Sequence, residues 1–103
     1  MWETWGGKST FDYTGSVETG TEIIYGQGYK IRVTAAQYKA LRRHFLHRIV
    51  PVGTSRTNAP RESLGSWLQA NVTRVAVASY VAQILVLEGF AERVGKNDIH
   101  ITR

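Results

Sequence analysis

From Arg74 to Glu88 the chain runs without glycine or proline, and Val75, Val77, Val81, Ile84, Leu85, Val86 and Leu87 spread around nearly the whole circumference of a helix drawn through them. A helix that is apolar on most sides has to be covered on most sides. The β-branched density would also suit a strand, but ~15 residues without a turn signal exceed an average strand, and Gly89 supplies a helix stop. The polar surface of this segment reduces to Ser79 and Gln83, with Arg74 at its start. Whatever architecture the chain adopts must therefore bring material to both sides of this helix. The candidates are the N-terminal segment of the same chain or a second copy of it.

The remaining elements follow from shorter signals. Ile23, Tyr25, Tyr29, Ile31 and Val33 alternate with polar residues around Gly26-Gln27-Gly28, which predicts a hairpin. Thr34 with Gln37 three residues on has the form of a reciprocal capping box, so a helix should start there. Tyr38, Leu41, Phe45 and Ile49 share one face of it, and Lys39, Arg43, His44, His47 and Arg48 the other. Pro51 ends it, and Val52 to Ala59 read as loop. Ser63 caps a short helix over Leu64 to Ala70, and a turn at Asn71 to Thr73 leads into the apolar helix. Phe90 to Val94 and Ile99 to Thr102 form a second hairpin around Gly95-Lys96-Asn97-Asp98. Residues 1–20, with Gly6, Gly7, Gly15 and Gly20 among Trp2, Trp5, Phe11 and Tyr13, show no sustained period and read as an irregular aromatic arm, leaving 21–103 as a single domain.

Charge is distributed unevenly along these elements. Between Ile23 and Arg61 stand Lys30, Arg32, Lys39, Arg42, Arg43, Arg48, Arg56 and Arg61 with no Asp or Glu, so the net charge of +5 is local. Such a field recruits polyanions, of which nucleic acid is the commonest. The absence of cysteine removes disulfides and thiolate metal sites, no apolar run is long enough to cross a bilayer, and no secretory signal is apparent, so a cytoplasmic location is expected.

Helix, short helix, tight turn, longer helix and hairpin, with Val77-Ala78-Ser79-Tyr80-Val81, Leu85 and Glu88-Gly89-Phe90-Ala91-Glu92-Arg93 at the last junction, is an order that resembles the winged helix-turn-helix DNA-binding domain of many bacterial transcription regulators. The resemblance covers residues 34–103. It implies an α+β fold of three helices with a C-terminal β-hairpin wing, preceded here by an N-terminal β-hairpin. It also implies double-stranded DNA as partner, a role as a small transcriptional regulator or accessory factor, and a homodimer on paired half-sites. By position Thr73, Arg74, Ser79, Tyr80 and Gln83 would face DNA, Gln83 pairing adenine, Ser79 bonding a base or phosphate and Arg74 reaching guanine or the backbone, and Lys96 and Asn97 at the wing tip would lie near phosphates. The basic block would supply further phosphate contacts from Lys39, Arg42, Arg43, His47, Arg48, Arg56 and Arg61. The alternative is a protein-interaction module on the same scaffold, docking through the apolar third helix.

Chemical motifs are weak by comparison. Gly7-Lys8-Ser9 ends like a phosphate-binding loop, but the glycine required five positions earlier is Trp2. His44 and His47 have a metal-chelating spacing, yet arginines flank them and no carboxylate or thiol is near in sequence. No nucleophile or paired acid stands out, so neither catalytic residue, metal nor cofactor is expected.

Overall fold

The computed structural model describes residues Met1–Arg103. Its elements are β1 (Trp2–Glu3), β2 (Thr10–Ser16), β3 (Gly20–Tyr25), β4 (Tyr29–Thr34), α1 (Ala35–Phe45), β5 (Ile49–Pro51), α2 (Leu64–Asn71), α3 (Ala78–Leu87), β6 (Ala91–Val94) and β7 (Asp98–Ile101). They form an α+β fold of three helices and two antiparallel sheets, ordered β1-β2-β3-β4 and β5-β7-β6. No helix is long and apolar enough to cross a membrane.

The first sheet is a meander in which each strand pairs with its sequence neighbour. It corrects the expectation of an irregular arm over residues 1–20, because β1 and β2 extend the expected β3–β4 hairpin into four strands. Phe11 and Tyr13 carry the period of two on β2 and point inward with Ile23 and Val33. At Gly15, with φ +84°, a Cβ would collide with the carbonyl oxygen of Gly20 on the paired strand, so only glycine fits. Trp5, Phe11 and Val17 belong to the same continuous core of 22 buried apolar residues as α1, α2, α3 and the second sheet. The first twenty residues are thus part of the domain.

The expected box at the start of α1 forms: Gln37 N–H donates to Thr34 Oγ1 at 3.1 Å, and Thr34 N–H donates to Gln37 Oε1 at 2.9 Å. Tyr38, Leu41 and Phe45 are buried on one face. The helix ends at Phe45 rather than near Pro51. His47 adopts φ +64° and donates its amide to Ile101 O at 2.7 Å, which turns the chain into β5, an edge strand of the second sheet. Ile49, expected on the apolar face of the helix, is instead an exposed residue of that strand.

α2 starts at its expected cap, with Ser66 N–H donating to Ser63 Oγ. Gly65 N–H donates to Val52 O at 2.8 Å, a close approach of helix and loop in which a Cβ on Gly65 would strike the carbonyl of Gly53. α3 begins at Ala78, four residues later than the sequence suggests, and no side chain caps it. Ala78, Val81, Ala82, Ile84 and Leu85 are buried. Material does lie on the helix's other side: Tyr80 packs against the rings of Phe11 at 5.3 Å and Tyr25 at 5.1 Å, from β2 and β3.

Candidate nucleic-acid interface

The start of α3 is held by the N-terminal segment. Trp5 N–H donates to Ser79 O at 3.0 Å, and its indole Nε1–H donates to Lys96 O at 2.8 Å. The Arg93 guanidinium lies 3.8 Å from the centre of the Trp5 ring, donates to Trp5 O at 3.0 Å and reaches Gln83 Oε1 at 3.4 Å. This one tryptophan joins α3, β6 and the turn between β6 and β7. Cation–π contact and hydrogen bonding act on the same pair of residues.

Around this clamp lies a cleft of about 610 Å³. Lys8 and Ser9 border it from the β1–β2 connection, Thr54 and Ser55 from the loop after β5, and Lys96 and Asn97 from the β6–β7 turn. Ser79 lines its floor, and no carboxylate lines it anywhere. The turn is braced there by Val52 N–H, which donates to Asn97 O at 2.8 Å. Two ammonium groups, several hydroxyls and no acid make a surface suited to phosphate oxygens.

On the other flank of α3, Gln69 Nε2 donates to Arg56 O at 2.9 Å and reaches Arg74 O at 3.5 Å, which brings the two arginine backbones together. Arg74 is therefore an exposed residue of the α2–α3 turn, not of the helix. Thr73 is half-buried, its Oγ1 accepting from Val75 N–H at 3.3 Å. Burial first, and Tyr25 second, push the Tyr80 phenol above its usual pKa, with the Arg56 charge acting in the opposite sense.

The fold separates the sequence-predicted residues into three groups. Ser79, Lys96 and Asn97 share the cleft; the Arg56 and Arg74 backbones meet at Gln69, with the Arg56 charge acting on Tyr80; Lys39, Arg42 and Arg43 line a different cavity on α1. Tyr80 and Gln83, expected to face DNA, are half-buried and engaged by the first sheet and by Arg93. Arg48 is not on a helix face but beside β5, where Glu62 pairs with it at 3.3 Å and also meets His44 Nε2 at 3.4 Å. That carboxylate offsets the cationic end of α1. By contrast Lys39, Arg43, Arg56, Arg61, Arg74 and Lys96 are exposed and have no carboxylate at salt-bridge distance. His47 is exposed, and no three His, Asp or Glu side chains are grouped to hold a metal ion.

Lys8, Trp5 and Arg93 were missed by sequence reasoning. Lys8 sits in an apparently irregular glycine-rich stretch, and the contacts of Trp5 span the length of the chain, so no local pattern marks them. The chain matches no family model, no curated protein and no solved structure.

Proposed function

We propose that this chain is a winged-helix domain that binds double-stranded DNA through the side formed by the first turn of α3, the α2–α3 turn and the β6–β7 wing. The observation that carries the reading is the acid-free cleft between the wing tip and the start of α3, with Lys8, Lys96, Asn97 and hydroxyls converging on it. The element order α1–β5–α2–α3–β6–β7 is compatible with that plan, since β5 completes a three-stranded sheet with β7 and β6. Because Tyr80 and Gln83 are already engaged, affinity comes mainly from phosphates and base discrimination is low. Such a protein acts as an accessory or architectural factor sooner than as a sharply sequence-specific regulator.

Lys8 and Lys96 line the cleft at the α3 start, and Arg56 and Arg74 are exposed residues whose backbones meet at Gln69 before it. If each neutralises one phosphate, log K falls against log salt with a slope of about −3.6, from four contacts at ~0.9 each. Fluorescence anisotropy with duplex DNA over a salt series measures this. Lys96→Glu and Arg74→Glu should each flatten the slope by at least ~1, while Gln83→Ala leaves sequence preference unchanged. Absence of binding at low salt, or binding indifferent to salt, refutes the proposal. Sedimentation of the free chain and of the complex tests the dimer that paired half-sites would require.

Docking of a protein on α3 has less to stand on. Val81, Ala82, Ile84 and Leu85 are buried within the chain, and Leu87 is the one large apolar residue of α3 that is exposed.

A further inference from the structure

A second cavity, of about 390 Å³, shares no residue with the wing-side cleft. Its apolar wall is Val17, Ala35, Ala36 and Leu46, from the β2–β3 turn and the outer side of α1. Lys39, Arg42, Arg43 and Arg103 surround that wall, and Glu18 is the sole carboxylate among the lining residues. Counting side chains alone, four cations face one carboxylate there. Arg103 follows the end of β7, whereas Lys96 and Asn97 precede its start, so the two sites lie at opposite ends of that strand, at least ~13 Å apart for four residues at ~3.3 Å each.

Arg42 is held in place. Its guanidinium stacks on the Phe90 ring at 4.4 Å and its Nε–H donates to Arg103 O at 2.6 Å, which leaves its terminal N–H groups free to donate elsewhere. Arg103 stacks on the same ring at 4.9 Å. A phenyl ring flanked by two guanidinium groups fixes the position of both cations. Lys39 and Arg43 are exposed and unpaired. The apolar wall adds nothing to the binding of a bare inorganic anion, and the cationic rim adds nothing to that of a neutral hydrocarbon, so a ligand that uses both must carry charge and chain together. We infer that this cavity binds a small anionic amphiphile, a carboxylate carrying a medium-length alkyl or aryl body, with the carboxylate on Arg42 and Arg43 and the body against Ala36 and Leu46. The volume lies in the range of small-molecule sites and accepts a chain of roughly ten carbons.

Isothermal titration with decanoate on the full chain tests the assignment. Decanoate should bind saturably, and acetate and decanol, which keep only the charge or only the chain, should each bind at least about tenfold more weakly. Arg43→Glu, at an exposed position without a partner, should lower decanoate affinity about tenfold by replacing an attraction with a repulsion. Lys39→Glu should act in the same direction, which guards against a folding defect peculiar to one variant, and unchanged melting of either variant excludes such a defect. Lys96→Glu should leave decanoate binding unaltered while weakening DNA, so failure of one site is distinguishable from failure of the other. No saturation at low-millimolar decanoate, equal binding of acetate or decanol, displacement of decanoate by equimolar inorganic phosphate, or an Arg43→Glu variant that binds like the parent overturns the inference.

Discussion

Glu88, at the C-terminal end of α3, should be worth more to the fold than its half-exposed position suggests. Its Oε2 accepts the Tyr13 hydroxyl at 2.8 Å and its Oε1 accepts the Val17 amide at 2.9 Å, so one carboxylate fastens α3 to β2 and to the turn that follows it. Val17 is 1% exposed, and its amide has no other acceptor. Glu88→Ala leaves that N–H orphaned in the interior and costs ~3 kcal/mol: ~2 for the buried donor and ~1 for the charge-assisted bond to Tyr13. For a chain of this length that lowers the melting temperature by roughly 15 °C. Glu88→Gln keeps an acceptor for the amide and a donor for the phenol oxygen, and should cost only ~1 kcal/mol. Urea unfolding followed by tryptophan fluorescence measures both, and hydrogen exchange at Val17 should lose protection in the alanine variant alone. A pH arm belongs to the same experiment. Burial, then the hydrogen bond and charge of Glu88, push the Tyr13 phenol from its ordinary value near 10 up to about 12. The native state thus prefers the neutral phenol, so the stabilisation is complete below pH 10 and is lost as pH rises from 10 to 12. Solvent screening at a half-buried ring holds this contribution to ~1 kcal/mol. In Glu88→Ala the phenol should titrate at lower pH, yet not at 10, because burial remains. Equal destabilisation by alanine and glutamine, or a Tyr13 titration indifferent to Glu88, refutes the fastening role.

Two further outcomes test the packing. Gly65→Ala adds a better helix former to α2 yet should destabilise by ~2 kcal/mol in chemical denaturation, because the new Cβ meets the Gly53 carbonyl, which is backbone and cannot swing aside. Tyr38→Phe should cost ~1–2 kcal/mol, since the Tyr38 hydroxyl is paired with Thr21 Oγ1 at 2.7 Å in the interior; adding Thr21→Val should recover part of that loss in a double-mutant cycle.

Where a local rule set an element boundary, the sequence carried it: the Thr34–Gln37 box opens α1, Ser63 opens α2, and Gly89 closes α3. Boundaries set by distant partners were hidden. α1 stops at Phe45 because the His47 amide is claimed by Ile101, more than fifty residues away, and no glycine or proline announces the stop. β2 shows its alternation at Phe11 and Tyr13, but flanking glycines dilute it below any window average. The apolar circumference of α3 did foretell cover on two sides. It did not say that the cover would engage Tyr80, nor that Arg93 of β6 would reach Gln83, two positions expected to face DNA. The basic block was legible as charge but not as separate surfaces: Glu62 pairs with Arg48, Phe90 fixes Arg42, and Lys39, Arg43, Arg56 and Arg61 remain exposed without a carboxylate partner.

The Trp5 clamp imposes an order on folding. Its hydrogen bonds to Lys96 and Arg93 close loops of 91 and 88 residues, nearly the whole chain, at an entropic cost of ~4 kcal/mol for a loop of that size. The four-stranded meander, built only from neighbouring hairpins, needs no such closure and can assemble first. Trp5 then joins the rest of the molecule only after the β6–β7 hairpin exists, so the slowest tryptophan signal in refolding should report the chain's two ends meeting, and Arg93→Ala should speed their separation more than it slows their union.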